Sequence, residues 1–236
     1  MEAIILAGGF GTRLQGVIND VPKPMADING KPFLSYLIEY LSNQGLNKIL
    51  LSIGYKNQII RNYFGPRYKN TEIEYVIENE PLGTGGAVKE SLKHVQGDDA
   101  IVLNGDSYFN VELKEMLNFY HAHNALLTIA VKPMRNFDRY GTVILKEDKI
   151  IDFQEKTFKK FGYINGGVYI MNKSISDYFA HISDPFSFEA DILGKKVDTL
   201  QPVAFINDGY FIDIGIPEDY ERAQQEFDKL AMGETR

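Results

Sequence analysis

A glycine-rich segment near the start of the sequence, residues 8–14, contains an arginine and follows a short apolar run. Glycine has no Cβ, so the backbone N–H groups of such a segment can approach a phosphate or a base closely. Two familiar phosphate-binding patterns do not fit. Leu14 stands where a dinucleotide fingerprint needs glycine, and the Gly-Lys-Ser/Thr of a P-loop is missing.

Two cations accompany this segment: Arg13 within it, and Lys23 ten residues later between two prolines. The prolines fix φ on either side of Lys23 and therefore hold it on a stiff stretch of chain. A stiffly held cation beside a glycine-rich segment suits a polyphosphate leaving group. The alternative is a tight turn after a strand, with two cations at the surface.

Two carboxylates follow apolar, strand-like runs. Asp106 comes directly after Asn104-Gly105, and Asp213 lies in the apolar stretch 210–215. Ligands of open α/β sheets bind beyond the carboxyl ends of the strands, so Asp106 is expected in the same crevice as the first glycine-rich segment. Two carboxylates with substrate oxygens form the oxygen-rich, partly hydrated site that Mg²⁺ prefers. The alternative is that each aspartate caps a turn.

The pattern Gly-Gly-x-Gly-Thr-Arg-Leu followed by Pro-Lys-Pro resembles the signature of the sugar-1-phosphate nucleotidyltransferases. The resemblance runs nearly end to end and implies transfer of a nucleotidyl group to a sugar 1-phosphate. It makes Arg13 and Lys23 catalytic and Asp106 and Asp213 the ligands of Mg²⁺. It also implies a set of nucleotide-binding residues: Leu6, Ala7, Gly8, Gly9, Gly11, Thr12, Glu78, Glu80, Pro81, Gly83 and Thr84. The implied sugar-phosphate-binding residues are Asn104, Tyr140, Gly141, Glu155, Lys156 and Asn165.

In the pair Glu155-Lys156, the resemblance implies that the acid holds sugar hydroxyls and the lysine holds the sugar phosphate. Thr157 stands where the family usually has proline, which leaves the path of this loop open. The turns at Tyr140-Gly141 and Asn165 resemble sugar-contacting turns of the family, with a plain hairpin turn as the alternative.

The second glycine-rich segment, residues 78–86, carries Glu78 and Glu80 and matches the family's base-recognition segment. Guanine offers N1–H and N2–H₂ as adjacent donors, which one carboxylate can accept together, whereas uracil and thymine offer a single N3–H. The carboxylates therefore favour GTP, unless they are merely solvated. The resemblance implies a heptose 1-phosphate as the acceptor, for a bacterial S-layer, capsule or lipopolysaccharide. Mannose 1-phosphate with GTP, another sugar 1-phosphate with UTP or dTTP, and a non-catalytic nucleotide-sugar sensor are the alternatives.

Composition excludes other classes of protein. Among 236 residues, 25 Lys and Arg face 32 Asp and Glu, a net charge of −7 that argues against a nucleic-acid partner. The absence of cysteine excludes disulfides, thiol chemistry and Cys-ligated zinc. The N-terminus is a poor secretion signal and no run approaches the roughly 20 apolar residues of a membrane span, so we expect no membrane partner and a cytoplasmic location. The oligomeric state stays open, a homo-oligomer included.

The elements that must position these residues alternate between strands and helices in the first half. Strands are predicted at 3–6, 48–53, 73–77 and 100–103, with helices after residue 32 and at 58–64 and 86–94. This alternation predicts parallel βαβ units. In the second half, strands at 126–131, 142–145, 150–153 and 163–171 suggest antiparallel hairpins, and a helix at 218–230 closes the chain.

This organisation matches the family fold that the resemblance implies. That fold is an α/β, Rossmann-like three-layer sandwich with a mostly parallel central sheet and a β-rich sugar-binding insertion. The prediction is one domain, with a nucleotide-binding half at about 1–110, a sugar-binding half at about 111–215 and a closing helix at 216–230.

Overall fold

The computed structural model describes residues 1–9 and 21–231, with side chains described as far as residue 227. The helices of this part of the chain are α1 (Phe33–Asn43), α2 (Asn57–Phe64), α3 (Gly83–Leu92), α4 (Leu113–Ala122), α5 (Gly194–Leu200) and α6 (Pro217–Ala231). The strands of the first half are β1 (Glu2–Leu6), β2 (Asp27–Ile28), β3 (Lys31–Pro32), β4 (Lys48–Ile53), β5 (Arg67–Tyr68), β6 (Thr71–Ile77), β7 (Asp99–Asn104) and β8 (Ser107–Phe109). Those of the second half are β9 (Leu127–Phe137), β10 (Thr142–Lys146), β11 (Lys149–Gln154), β12 (Lys159–Asn172), β13 (Val203–Ile206) and β14 (Phe211–Asp213).

Ten of these strands form one sheet in the order β10-β11-β13-β9-β12-β7-β1-β4-β6-β5. The run β7-β1-β4-β6 is parallel, as the alternation of strands and helices predicts. The antiparallel hairpins predicted for the second half are also present. There β12 is antiparallel to both β7 and β9, and β10 is antiparallel to β11. Hairpin connections impose antiparallel pairing, and in this half only β13 and β9 pair in parallel among the described strands.

The sheet carries a hydrophobic layer on each face. In β1, Ala3 and Ile5 belong to one core cluster and Ile4 to the other, because successive side chains of a strand point to opposite faces. Both clusters are covered by helices, α1 on one face and α3 on the other. This layering confirms the Rossmann-like three-layer α/β fold. No helix in the described residues has the length and apolar character needed to cross a membrane.

Several elements were not predicted from the sequence. Residues 173–193 form short 3₁₀ and π-helical turns that lead into α5, and β13 returns to the sheet beside β9. The short strands β8 and β14 form a separate two-stranded sheet, in which Asp213 lies opposite Ser107. Both features shape the site described below.

A buried charge cluster at the N-terminal edge of the sheet yields a stability prediction. Lys48 Nζ lies 3.0 Å from Glu2 Oε1 and 3.0 Å from Glu74 Oε2. Burial raises the pKa of Glu2, but hydrogen bonds from the Gln96 backbone and from Lys48 outweigh it and leave the pKa lowered. Burial also raises the pKa of Glu74, but hydrogen bonds from Lys48 and His94 outweigh this effect, so the pKa of Glu74 is lowered too.

We expect Lys48→Met to lower the free energy of unfolding by about 1–2 kcal/mol at pH 7. A carboxyl group with a lowered pKa stabilises the fold above its ordinary pKa, and this stabilisation is lost as the pH falls through the folded-state value. Urea unfolding of both proteins should therefore give a smaller difference at about pH 3 than at pH 7. Lys93→Met, in an exposed pair with Glu90, is the matched control and should cost under about 0.5 kcal/mol. An equal cost of Lys48→Met at both pH values would contradict the prediction.

Candidate active site

A cavity of about 790 Å³ opens at the carboxyl ends of the adjacent parallel strands β1 and β7. This is the edge of an open α/β sheet where ligands bind. Most of the predicted site residues that the structure describes line it: Leu6, Gly8, Gly9, Lys23, Glu78, Pro81, Gly83, Thr84, Asn104, Asp106, Tyr140, Lys156, Asn165 and Asp213. The structure thus brings together residues from both predicted halves of the chain.

Some predicted residues do not line the cavity, and some cannot be placed. Ala7 is buried behind the wall, Gly141 lies beside Tyr140, and Glu80 and Glu155 are exposed to solvent. The predictions for Gly11, Thr12 and Arg13 lie outside the described residues.

Lys23 bridges the two predicted metal ligands. It begins a 3₁₀ turn after Pro22, and its Nζ lies 2.6 Å from Asp106 Oδ2 and 3.6 Å from Asp213 Oδ1. The Lys23 side chain is only 13% exposed, so its charge is held inside the cavity wall. The two-stranded sheet of β8 and β14 produces this arrangement, because it pairs Asp213 with Ser107, the residue that follows Asp106.

The surroundings of Asp213 disfavour its negative charge. Burial raises the pKa of Asp213, the negative charge of Asp106 raises it further, and the Lys23 ammonium opposes both. The Gly215 N–H also donates to Asp213 Oδ1 at 2.7 Å. Two carboxylates that repel each other in a half-buried site are stabilised by a cation between them.

This donor set fits Mg²⁺. Among the described residues there is no group of three or more His, Asp or Glu side chains that could hold a metal ion. Mg²⁺ keeps several waters and is usually bound by one or two carboxylates together with substrate phosphates. Asp106 and Asp213 supply that pair of carboxylates.

Glu78 joins the two glycine-rich segments. Its Oε1 accepts a hydrogen bond from Ser52 Oγ at 2.9 Å, and its Oε2 accepts one from the Leu82 backbone at 3.3 Å. The carboxylate lies against Gly8, where a Cβ would collide with Oε1. Of the two acids predicted to recognise the base, only Glu78 reaches the cavity.

The second glycine-rich segment leads into α3 and packs against residues 184–193. Gly83 has φ +72°, and a Cβ there would collide with the Phe186 carbonyl oxygen. Backbone hydrogen bonds run both ways, from Gly85 N to Phe186 O at 3.0 Å and from Phe186 N to Leu82 O at 3.1 Å. Close backbone packing therefore explains the glycine at position 83.

The wall formed by β12 carries Asn165 and Gly167. The Asn165 side chain accepts a hydrogen bond from Gly167 N and donates one to Tyr169 Oη, both at 2.9 Å. A shift of register between β12 and β9 falls between Asn165 and Tyr169 and turns this stretch toward the cavity. The nearby Asn104 Oδ1 is buried and has no hydrogen-bond partner among the described residues.

The structure adds cavity-lining residues that the sequence did not single out: Pro24, Ala87, Ser107, Ser187, Glu189 and Phe211. Ser187 carries a local signal, because its hydroxyl accepts a hydrogen bond from Ala190 N as an N-cap does. Glu189 stands in no recognisable motif. Its place in the cavity depends on a contact with Thr84, more than a hundred residues away.

The fold, the two glycine-rich segments and the cluster of Lys23 with two aspartates define a class of protein. The chain belongs to the nucleotidyl transferase family, whose sequence profile matches residues 2–229.

Individual relatives are similar over nearly the whole chain. A D-glycero-alpha-D-manno-heptose 1-phosphate guanylyltransferase of Aneurinibacillus thermoaerophilus is 49% identical, with 96% of this chain and 98% of the relative covered. One of Campylobacter jejuni is also 49% identical, with 93% and 97% covered. The crystal structure of HddC from Yersinia pseudotuberculosis complexed with GMP-PN superposes with a TM-score of 0.85 at 42% identity, covering 96% of this chain and 99% of that one.

Proposed function

We propose that this chain transfers GMP from GTP to D-glycero-α-D-manno-heptose 1-phosphate, giving GDP-heptose and pyrophosphate. The cluster of Lys23 with Asp106 and Asp213, facing both glycine-rich segments in one cavity, carries the proposal. The 49% identity to the two heptose 1-phosphate guanylyltransferases supports the choice of substrates. Such a product serves the synthesis of bacterial surface glycans, and its charged substrates place the reaction in the cytoplasm.

The reaction needs no general base. A sugar phosphate has a second pKa of about 6 and is already a dianion in most molecules near neutral pH. One of its phosphate oxygens attacks the α-phosphorus of GTP in line, the new P–O bond forms, the bond to the β-phosphate bridge breaks, and pyrophosphate leaves. The protein then supplies alignment and charge stabilisation.

Each cation is proposed to hold a different part of the two substrates. Lys23 contacts the transferring phosphoryl group, Lys156 the sugar phosphate, and Arg13 the triphosphate, the last by resemblance alone. Asp106 and Asp213 would hold Mg²⁺. When bound, the metal neutralises phosphate charge and withdraws electrons from the phosphoryl oxygens.

The remaining contacts divide between two proposed halves of the domain, with the nucleotide held by residues from about 1–110 and the sugar by residues from about 111–215. Tyr140 and Asn165 line the cavity, and both are proposed to contact the sugar. Glu155 would reach the sugar only if its exposed loop closes over the bound substrate.

A pyrophosphate-release assay tests the reaction. The purified chain is given GTP, ATP, UTP and dTTP, each with heptose 1-phosphate, mannose 1-phosphate and glucose 1-phosphate, in the presence of Mg²⁺. We expect the highest kcat/KM for GTP with heptose 1-phosphate. Preference for mannose 1-phosphate, or for UTP or dTTP, would assign another activity of the same family, and no release from any pair would indicate a nucleotide-sugar sensor.

Base recognition gives a matched pair of variants. Glu78→Gln is expected to reduce the preference for GTP over UTP about tenfold, because the carboxylate that would accept both guanine donors becomes an amide. Glu80→Gln should change it less than about twofold, since Glu80 is exposed and outside the cavity. The measurement is the ratio of kcat/KM for the two nucleotides. If neither variant shifts the ratio, a carboxylate does not read the base, and if only Glu80→Gln shifts it, the assignment to Glu78 is wrong.

A further inference from the structure

Glu189 is a carboxylate with one oxygen held by the protein and the other directed to no described partner. Its Oε2 accepts hydrogen bonds from Thr84 Oγ1 at 2.7 Å and from Ser187 Oγ at 3.2 Å. The Thr84 hydroxyl is fixed in turn, because it accepts a hydrogen bond from Phe188 N at 2.9 Å. Among the described residues, none donates a hydrogen bond to Oε1, and Glu189 lines the cavity.

The Glu189 carboxylate lies beside the start of α3. Its Oε2 is bonded to Thr84, in the first turn of α3, where the helix dipole stabilises a negative charge. A carboxylate fixed in this way accepts hydrogen bonds and repels phosphates. Its natural partner in a cavity for two phosphate-containing substrates is therefore a hydroxyl group.

The neighbours of Glu189 include a predicted nucleotide-binding residue, Thr84, and lead to a predicted sugar-binding residue, Asn165. The charge of Glu189 acts on the Tyr169 hydroxyl, whose pKa is raised first by burial and then by this carboxylate. Tyr169 Oη is bonded to Asn165, which lines the same wall of β12. Glu189, Asn165 and Asn104 all line the cavity, and their side chains are of types that bind hydroxyl groups.

We propose that Glu189 binds a hydroxyl group of the sugar 1-phosphate through Oε1 and so helps determine which sugar is accepted. This inference rests on the proposed function. The hydrogen bonds to Oε2 fix the carboxylate before the substrate arrives, which reduces the entropy cost of binding. A sugar that lacks the recognised hydroxyl would leave this carboxylate desolvated and unpaired, which is the basis of strong discrimination.

The test measures kcat and both KM values for the wild-type chain, Glu189→Gln and Asp191→Asn, with GTP and heptose 1-phosphate. Asp191 lies on the same turn, binds Ser187 N and Lys195, and does not line the cavity, so it controls for the loss of one charge from this segment. Glu189→Gln keeps an oxygen that can accept from Thr84 and Ser187. We expect its KM for the sugar phosphate to rise about tenfold while its KM for GTP and its Tm stay unchanged, and Asp191→Asn to resemble the wild type.

A series of single-position deoxy analogues of the sugar phosphate identifies the hydroxyl. At one position of the sugar, removal of the hydroxyl should raise the KM of the wild type but change the KM of Glu189→Gln very little, because the two changes remove the same contact. If Glu189→Gln raises the KM for GTP, and the wild type shows a similar rise when GTP is replaced by 2′-deoxy-GTP, then Glu189 contacts the ribose and the proposal is overturned. Unchanged kinetics, or a loss of kcat that tracks a lowered Tm, would also overturn it. An inactive wild type would instead contradict the proposed function itself.

Discussion

Lys23→Ala is expected to lower kcat about 10²- to 10³-fold while raising the KM for GTP less than about threefold. The Lys23 side chain is 13% exposed, and its Nζ lies 2.6 Å from Asp106 Oδ2 and 3.6 Å from Asp213 Oδ1. In the proposed reaction, negative charge moves from the attacking oxygen across the α-phosphoryl group to the leaving pyrophosphate. A cation that is fixed before this movement begins stabilises the transition state more than the bound substrates.

The rigidity of the segment is part of this expectation. Pro22 and Pro24 flank Lys23, and the turn is closed by hydrogen bonds from Met25 N to Pro22 O at 2.7 Å and from Ala26 N to Lys23 O at 3.0 Å. A lysine on a mobile loop would lose more side-chain and backbone entropy when it engages the substrate.

The kinetic constants of Lys23→Ala are measured by pyrophosphate release, with nucleotide affinity measured separately by titration calorimetry. Lys31→Ala is the matched control, because Lys31 follows in the same part of the chain but pairs with Glu39 and does not line the cavity. It should keep the wild-type kcat. A Lys23→Ala enzyme that loses nucleotide affinity as strongly as it loses kcat would show that Lys23 binds the ground state, and the proposed role would be wrong.

The parts of the fold that could be predicted are those with a repeating local pattern. Strand β4 has the predicted bounds Lys48–Ile53, and α1 (Phe33–Asn43) begins after residue 32 as predicted. Strand β4 is a nearly continuous apolar run, and α1 has apolar residues at helical spacing, so both patterns can be recognised in the sequence. The choice of β7 and β9 as the neighbours of β12 has no such local signal, because a buried apolar strand can pair with any of several strands.

The site shows the same difference between local patterns and long-range contacts. Lys23, Asp106 and Asp213 lie in short motifs, so the sequence alone pointed to these residues, although not to the contacts between them. Asp213 reaches Lys23 through three-residue strands that pair across about a hundred residues, and Glu189 meets Thr84 across a similar distance. Contacts of this kind depend on the whole fold and leave no trace in the spacing of the sequence.

Replacing Asp213 by asparagine is expected to separate activity from stability. We expect Asp213→Asn to lower kcat/KM at least about 10²-fold, because the site would lose one of its two proposed Mg²⁺ ligands. We expect the Tm without substrates to stay the same or rise. Burial and the Asp106 charge both disfavour the Asp213 carboxylate, and their combined effect on its pKa exceeds that of Lys23.

The neutral amide should fit the site. Asp213 Oδ1 accepts a hydrogen bond from Gly215 N at 2.7 Å, and an asparagine oxygen can accept the same bond. The pairing of β14 with β8 uses only backbone groups and is unaffected. Sites that combine like charges are commonly less stable than their inactive variants, since function rather than folding requires the charges.

Three measurements on Asp213→Asn decide the matter: pyrophosphate release, thermal unfolding, and Mn²⁺ binding in the presence of GTP, with Mn²⁺ as a paramagnetic substitute for Mg²⁺. Asp208→Asn is the control. Asp208 lies five residues earlier, its side chain is 80% exposed, and it pairs with Lys132 outside the cavity, so all three readouts should match the wild type. If Asp213→Asn binds Mn²⁺ as tightly as the wild type, then Asp213 is not a metal ligand. If its Tm falls together with its activity, the carboxylate stabilises the fold, and the loss of activity carries no information about the metal.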